Sequence, residues 1–304
     1  MRAEMHENLQ LSGLMDPDKE ETAKKQSQFG EVFKRLFKSK TAVIGMIIVA
    51  IFLIIAIIGP LLAPYGYADM DIAIKNQTPS AEHLLGTDDM GRDILSRLLV
   101  GTRYTLGLGL GACVIGLVIG IILGCLAGFF GGWVEELIMR ACDVMQAIPG
   151  MLLAIVISSA LGNGVFNTML ALCIGRIPYV CRMLRASFLN QRKLEYVEAA
   201  QAENCSQLTI MFKHILPNTI SPLIVSTTMG IGNTITMAAS LSYIGLGVQA
   251  PTPEWGAMLS AAKSLIRHYP HELLFPGIAI AILVLALNLF GDGLRDALDP
   301  KLKN

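Results

Sequence analysis

Charge is scarce in these 304 residues: 24 basic and 24 acidic side chains make up 16% of the chain and cancel. A typical soluble domain is about 25% charged, so the polar surface a water-soluble enzyme of this size needs is missing. A net charge of zero also removes the excess of Lys and Arg that neutralises phosphates, which excludes a nucleic-acid partner. No two of the six cysteines (Cys113, Cys125, Cys142, Cys173, Cys181, Cys205) stand in C-x-x-C spacing, so neither structural zinc nor a disulfide framework is expected. G-x-x-x-x-G-K-[ST] is absent, which leaves no loop to cradle nucleotide phosphates. HELLF at 271–275 lacks the second His of a metalloprotease helix, and the five histidines form no ligand cluster with a carboxylate inside the membrane. The polar first 40 residues contain no apolar run followed by a small-residue cleavage site, so the first hydrophobic segment is expected to remain as an anchor.

Apolar length takes the place of charge. Hydrophobic residues make up 53% of the chain, and half of it falls in five uncharged stretches at 41–68, 104–134, 144–175, 214–253 and 273–291. A helix needs roughly 20 apolar residues to cross a bilayer's hydrocarbon. The stretch 144–175 is too long for one upright helix, and LGNG at 161–164 is a strong turn signal, so a helical hairpin is expected there. The reading is an all-α integral membrane fold, a six-span bundle with spans near 41–63, 104–131, 136–160, 165–184, 219–246 and 273–290. It divides the chain into an inner segment 1–40, a first span 41–63, an outer segment 64–103, a core 104–294 with a loop at 185–218, and a tail 295–304.

Within the second span, Ala112, Gly116, Gly120, Gly124, Gly128 and Gly132 recur every four residues. Small residues on one face let another helix approach closely in a membrane, so this stripe is expected to be a packing face. GLGLGACVIG is a weak dinucleotide fingerprint, since no strand precedes it. Arg176 is expected either near an interface or lining a protein-enclosed cavity. Placing the amino terminus inside puts 18 basic residues on the inner side and six on the outer, so both termini are expected to be cytoplasmic.

The loop 185–218 is longer than a turn between helices requires. Leu194, Val197, Leu208, Met211 and Ile215 trace an amphipathic stripe along it. Glu198-Ala199-Ala200, the turn-type Asn204 and Leu216-Pro217 resemble the EAA loop of the permease subunits of bacterial ABC importers. LGTDDMGRDILSRLLVGTR at 85–103, GGWVEELIMRACD at 131–143, ASLSYIGLGVQAPTPEWGAML at 239–259 and NLFGDGLRDALDP at 288–300 extend the likeness over about residues 30–300. Together they resemble the C-type permease of the dipeptide/oligopeptide/nickel importer family, with the type I (MetI-like) fold, and FKHILPN at 212–218 favours its peptide-type branch. Two departures stand out: Asn204 where the family has Gly, and His214 where many importers have Ile. Asn tolerates a left-handed backbone next best after Gly, so the turn is expected to survive.

That resemblance implies the function and the partners. The chain would form a translocation path with a second, homologous permease and receive di- or oligopeptides from an extracytoplasmic solute-binding protein in the bacterial cytoplasmic membrane. Nickel or glutathione-like cargo, and a passive channel, are the alternatives. The chain would bind no cofactor itself, ATP and Mg belonging to two separate ATPase subunits, and Glu198, Ala199, Ala200, Asn204, Leu216 and Pro217 would form the coupling element. Thr228, Asn233, Thr234, Thr236 and Ser240 are candidates for the path, although Ser and Thr in membrane helices often bond their own backbone. Asp88, Asp89, Arg92, Asp93, Glu254 and Trp255 are candidates for docking the solute-binding protein. Glu198→Lys and Ala200→Asp are both expected to abolish uptake while sparing membrane insertion.

Overall fold

The chain's structure is a computed structural model that describes residues 30 and 33–298. Most of the expected inner segment 1–40, up to residue 32, and the tail beyond 298 lie outside the described residues. Among those residues the regular structure is helical, apart from an isolated bridge between Thr87 and Asp93. Besides a short helical stretch at 33–38 and a 3-10 turn at Ile72–Ile74, the helices are α1 (Lys40–Leu62), α2 (Ile94–Phe130), α3 (Gly132–Ala147), α4 (Gly150–Leu161), α5 (Val165–Gln191), α6 (Glu195–Ala202), α7 (Gln207–Tyr243), α8 (Trp255–Ala262) and α9 (His271–Leu298).

Four of these, α1, α2, α7 and α9, are continuous helices long and apolar enough to cross a membrane. The span expected at 136–160 is broken: α3 and α4 meet at a bend of 92°. Pro149 causes it, because its ring pushes Ile148 into the extended region (φ −96°, ψ 127°). LGNG does end α4, with Gly162 and Gly164 at φ 81° and 142°. The following α5 is 27 residues long but carries Arg176, Arg182 and Arg185, and its polarity makes it less lipid-like than the other long helices.

The start of the second span is also corrected. α2 begins at Ile94, ahead of Tyr104 and inside the expected outer segment, and runs for 37 residues. Asp93 caps it by accepting the Ser96 N–H at 2.7 Å, and Arg97 donates to the Tyr67 carbonyl at 2.8 Å, so these two charges have partners within the chain.

The glycine stripe is where α2 meets α5. A Cβ at Gly120 would stand 2.6 Å from that of Val180, and one at Gly124 would stand 2.8 Å from the Cys181 carbonyl oxygen. Further along, a Cβ at Gly128 would stand 2.6 Å from that of Phe188. Gly132, the last of the series, meets nothing and lies beyond the contact at φ 55°. On the opposite flank α1 packs on α9 through Gly45, whose Cβ would lie 2.7 Å from the Ala286 carbonyl oxygen. The outer surface of α1, with Ile47, Ile51, Ile54, Ile57 and Leu61 exposed, is an apolar face suited to lipid.

Candidate functional site

The segment between α5 and α7 folds back onto the bundle. Helix α6 is eight residues long, and its periodicity divides it: Val197 and Ala200 are buried while Glu198 and Ala199 are exposed. Val197 and Ala200 belong to one apolar cluster with Cys125 and Phe129 of α2, Val180, Leu184 and Phe188 of α5, and Met211, Ile215 and Leu223 of α7. A force applied to the exposed face of α6 therefore reaches three long helices through close-packed side chains.

Both ends of this lever are fixed by local chemistry. After α6 the Cys205 N–H bonds the Ala200 carbonyl at 3.1 Å and the Asn204 N–H bonds the Gln201 carbonyl at 3.0 Å. This is a Schellman closure, and it needs a left-handed residue at Asn204, where φ is 60°. Asn204→Gly is expected to leave thermal stability within a few tenths of a kcal/mol, whereas Asn204→Val should lower it by about 1–3 kcal/mol through backbone strain; melting curves of the solubilised protein read both. On the α7 side, Pro217 has no N–H to donate, and the chain over Ile210–Ile215 winds more widely, with the Leu216 N–H reaching the Met211 carbonyl. The Asn218 side chain donates to the His214 carbonyl at 2.7 Å, and Leu216 packs on the same apolar cluster.

Ion pairs brace the neighbourhood. Arg185 of α5 grips Glu135 of α3, Nε to Oε1 at 2.6 Å, and Arg182 pairs with Asp143. Arg192 donates to the Phe129 carbonyl at 2.9 Å. The two ion pairs tie α3 to α5 beside the lever, and Arg192 ties the end of α5 to α2.

The path candidates divide. Thr228, Thr234, Thr236 and Ser240 each donate to the carbonyl four residues back, the self-satisfied state that lets a hydroxyl sit in a membrane helix. Asn233 and Thr236 are exposed on the outward side of α7, and Thr228 and Ser240 are half-buried. Thr236 and Ser240 line a cavity of about 400 Å³ with Met151, Tyr243 and Leu259. Thr234 is a correction: it is buried against Cys113 of α2, Oγ1 to Sγ at 3.3 Å, and faces the interior. Sequence reasoning missed Met151, Tyr243 and Leu259 because apolar side chains on three separate helices carry no local signal of a shared cavity.

The docking candidates are corrected more widely. Asp88, Arg92, Asp93, Glu254 and Trp255 are all buried, and Asp89 is half-exposed. Asp88 accepts Arg92 Nε at 2.7 Å and pairs with Arg97 Nε at 3.4 Å, while Asp93 meets His83 Nδ1 at 3.0 Å. Burial, reinforced by the neighbouring Asp88, raises the Asp89 carboxyl above its ordinary value, and the two arginines oppose that. These charges hold the outer segment together, so a docking protein would meet other side chains.

Glu254 and Trp255 plug the space between α2, α7 and α9. The Glu254 carboxylate caps α8, accepting the N–H groups of Gly256 at 2.9 Å and Ala257 at 2.8 Å. Burial raises its pKa, and those hydrogen bonds pull it back down. Trp255 Nε1 donates to the Leu98 carbonyl at 3.2 Å, and its ring meets Phe52 edge-on at 5.8 Å. Glu254→Ala strands two buried N–H groups and is expected to lower stability by about 1–3 kcal/mol, measurable as an earlier thermal transition of the purified protein.

Comparison with known proteins follows this geometry. Residues 116–304 match the family described as binding-protein-dependent transport system inner membrane component, and residues 27–79 match the N-terminal TM domain of oligopeptide transport permease C. A dipeptide transport system permease protein from Alkalihalophilus pseudofirmus is 43% identical over 278 residues, covering 91% of each chain. A glutathione transport system permease protein from Pectobacterium atrosepticum is 45% identical over 277 residues, covering 90% of this chain and 91% of the relative. Among solved structures, an inward-facing MetNI methionine ABC transporter chain superposes with a TM-score of 0.53 at 19% identity, over 66% of this chain and 96% of that one, a likeness of fold. With its helical bundle, its packed α6 and relatives alike over nine-tenths of its length, the chain belongs to the binding-protein-dependent transport system inner membrane components, as an ABC importer permease.

Proposed function

We infer that this permease imports di- and oligopeptides, working with a second homologous permease, two ATPase subunits and an extracytoplasmic solute-binding protein, and with both its termini in the cytoplasm. The observation that carries the coupling role is the division of α6: Glu198 and Ala199 face outward, while Val197 and Ala200 are sealed into the cluster that joins α2, α5 and α7. A short helix with a small exposed face fits a groove on another protein and moves the helices behind it as a body. ATP and Mg would bind the ATPase subunits, since this sequence carries no phosphate-binding loop. Two relatives named for dipeptide and glutathione transport support a peptide cargo, and glutathione, itself a tripeptide, is the second reading.

Reconstitution tests this. Vesicles holding the chain with its companion permease and ATPases should accumulate a labelled dipeptide only when the binding protein, ATP and Mg are all supplied. Uptake without ATP, at a rate set by the gradient alone, would make the chain a passive channel and overturn the reading.

A further inference from the structure

Arg176 lies where α2, α5 and α7 converge. A Cβ at Gly116 of α2 would touch the Arg176 Cβ at 3.2 Å, and one at Gly230 of α7 would fall 1.9 Å from Arg176 Nη1. The guanidinium therefore lies flat against the backbone of α7, in a notch that only glycine leaves open. Nη2 donates to the Ser226 carbonyl at 2.9 Å. Its remaining chemistry is unsatisfied: no ion pair among the described residues includes Arg176. Its Nε and the neighbouring hydroxyls of Ser226 and Thr227 are buried without a hydrogen-bond partner. Arg176 is half-buried, and a cation held inside a membrane bundle with no counter-charge is costly and marks a functional site.

Ser226, on the near side of this arginine, lines a cavity of about 710 Å³ together with Tyr179, Asn218, Ser221 and Arg295. That volume lies in the roughly 300–1,000 Å³ range of small-molecule sites. The polar part of the wall offers a guanidinium, hydroxyls and an amide, the rest is apolar, and no carboxylate among the described residues lines it. Asp292 and Asp296 flank Arg295 on α9 but do not line the cavity. A wall rich in donors around one guanidinium, with a second uncompensated guanidinium behind Ser226, suits an anionic group on an otherwise neutral or apolar molecule.

We propose that this cavity is a subsite for the carboxylate of the transported molecule, the C-terminus of a short peptide, with Arg295 at its mouth and Arg176 as the half-buried counter-charge behind Ser226. The inference rests on the peptide reading above and sharpens it, by giving the permease a selectivity of its own for a free carboxylate.

The test uses the assembled transporter in detergent without the binding protein, so that only the membrane subunits select. Binding of L-alanyl-L-alanine and of its C-terminal amide is measured by equilibrium dialysis, on wild type, Arg176→Gln and Arg295→Gln. Wild type should favour the free acid by about tenfold or more, the scale of a hydrogen bond to a charged group, and each variant should bring the ratio towards one. Arg295 is exposed at the end of α9, so Arg295→Gln decides the matter even if Arg176→Gln fails to assemble. A wild-type ratio near one, or an unchanged ratio in an assembled variant, overturns the proposal. Uptake of the same dipeptide by the wild-type vesicles separates the two levels. If it is transported while the ratio ignores the arginines, only the carboxylate subsite falls; if it is not transported at all, the peptide reading falls with it.

Discussion

Glu198→Lys should reduce ATP-driven uptake by at least about 30-fold while the protein accumulates and melts as wild type. Stability and coupling separate at this position. Glu198 is exposed in the first turn of α6, where exchanging a carboxylate for a cation costs about 0.3–1 kcal/mol through the helix dipole, too little to disturb the fold. On the functional side, reversing a charge seated in a partner's groove removes one attraction and adds a repulsion, an effect of about 2–5 kcal/mol, and each 1.4 kcal/mol is about tenfold. Transport assays on reconstituted vesicles, beside a melting curve, measure both effects. Ala200→Asp does not serve as a companion test, which corrects the expectation drawn from the sequence. Ala200 is 5% exposed, in the cluster with Val180, Phe188 and Met211, so an aspartate there places an unpaired carboxylate in the apolar core. That variant is expected to lose the fold, and its inactivity would say nothing about coupling.

Gly124→Leu should have the largest effect on assembly. The added side chain begins 2.8 Å from the Cys181 carbonyl oxygen and 2.9 Å from the Leu184 Cβ, both on α5 and one of them backbone, so the two helices must separate. Overpacking typically costs about 1–3 kcal/mol and occasionally more, and here separation also strips the contacts of Gly120 and Gly128 along the same seam. Gly107 of the same helix is the control: nothing stands within 4 Å of a Cβ built there. Gly107→Leu is expected to accumulate normally, and Gly124→Leu to show a clearly lower melting temperature and yield. Equal behaviour of the two variants would mean that α2 and α5 do not pack through this stripe.

That seam and the lever were legible in the sequence for the same reason. Glycines at 116, 120, 124 and 128 and the stripe through Val197, Met211 and Ile215 are periodic, and period alone assigns a face; Leu194 and Leu208, expected on the same stripe, are exposed instead. The left-handed Asn204 was legible too, because side-chain identity at a helix end constrains the backbone directly. What escaped was set by contacts distant in the chain. Asp88, Arg92, Arg97 and Glu254 look like solvated loop charges until Arg97 meets the Tyr67 carbonyl and Trp255 Nε1 meets the Leu98 carbonyl, contacts spanning 30 and 157 residues. The bend at Pro149 was legible, since Pro149-Gly150 is a turn dipeptide, but hydropathy hid it, because an apolar run reads the same straight or turned through 92°. Thr234 differs from Thr236 only in which side of α7 it occupies, and that is fixed by Cys113 on another helix.

The central claim is that α6 faces the cytoplasm and bears on an ATPase. Ala199 is exposed on α6, and five of the six cysteines are buried, with Cys205 half-buried, so a cysteine at 199 gives a thiol that reports on the lever. In the assembled transporter, Ala199→Cys should cross-link to an ATPase subunit and stay unlabelled when intact cells are treated with a membrane-impermeant maleimide. Labelling from outside the cell, or a cross-linked product containing no ATPase, would contradict the account.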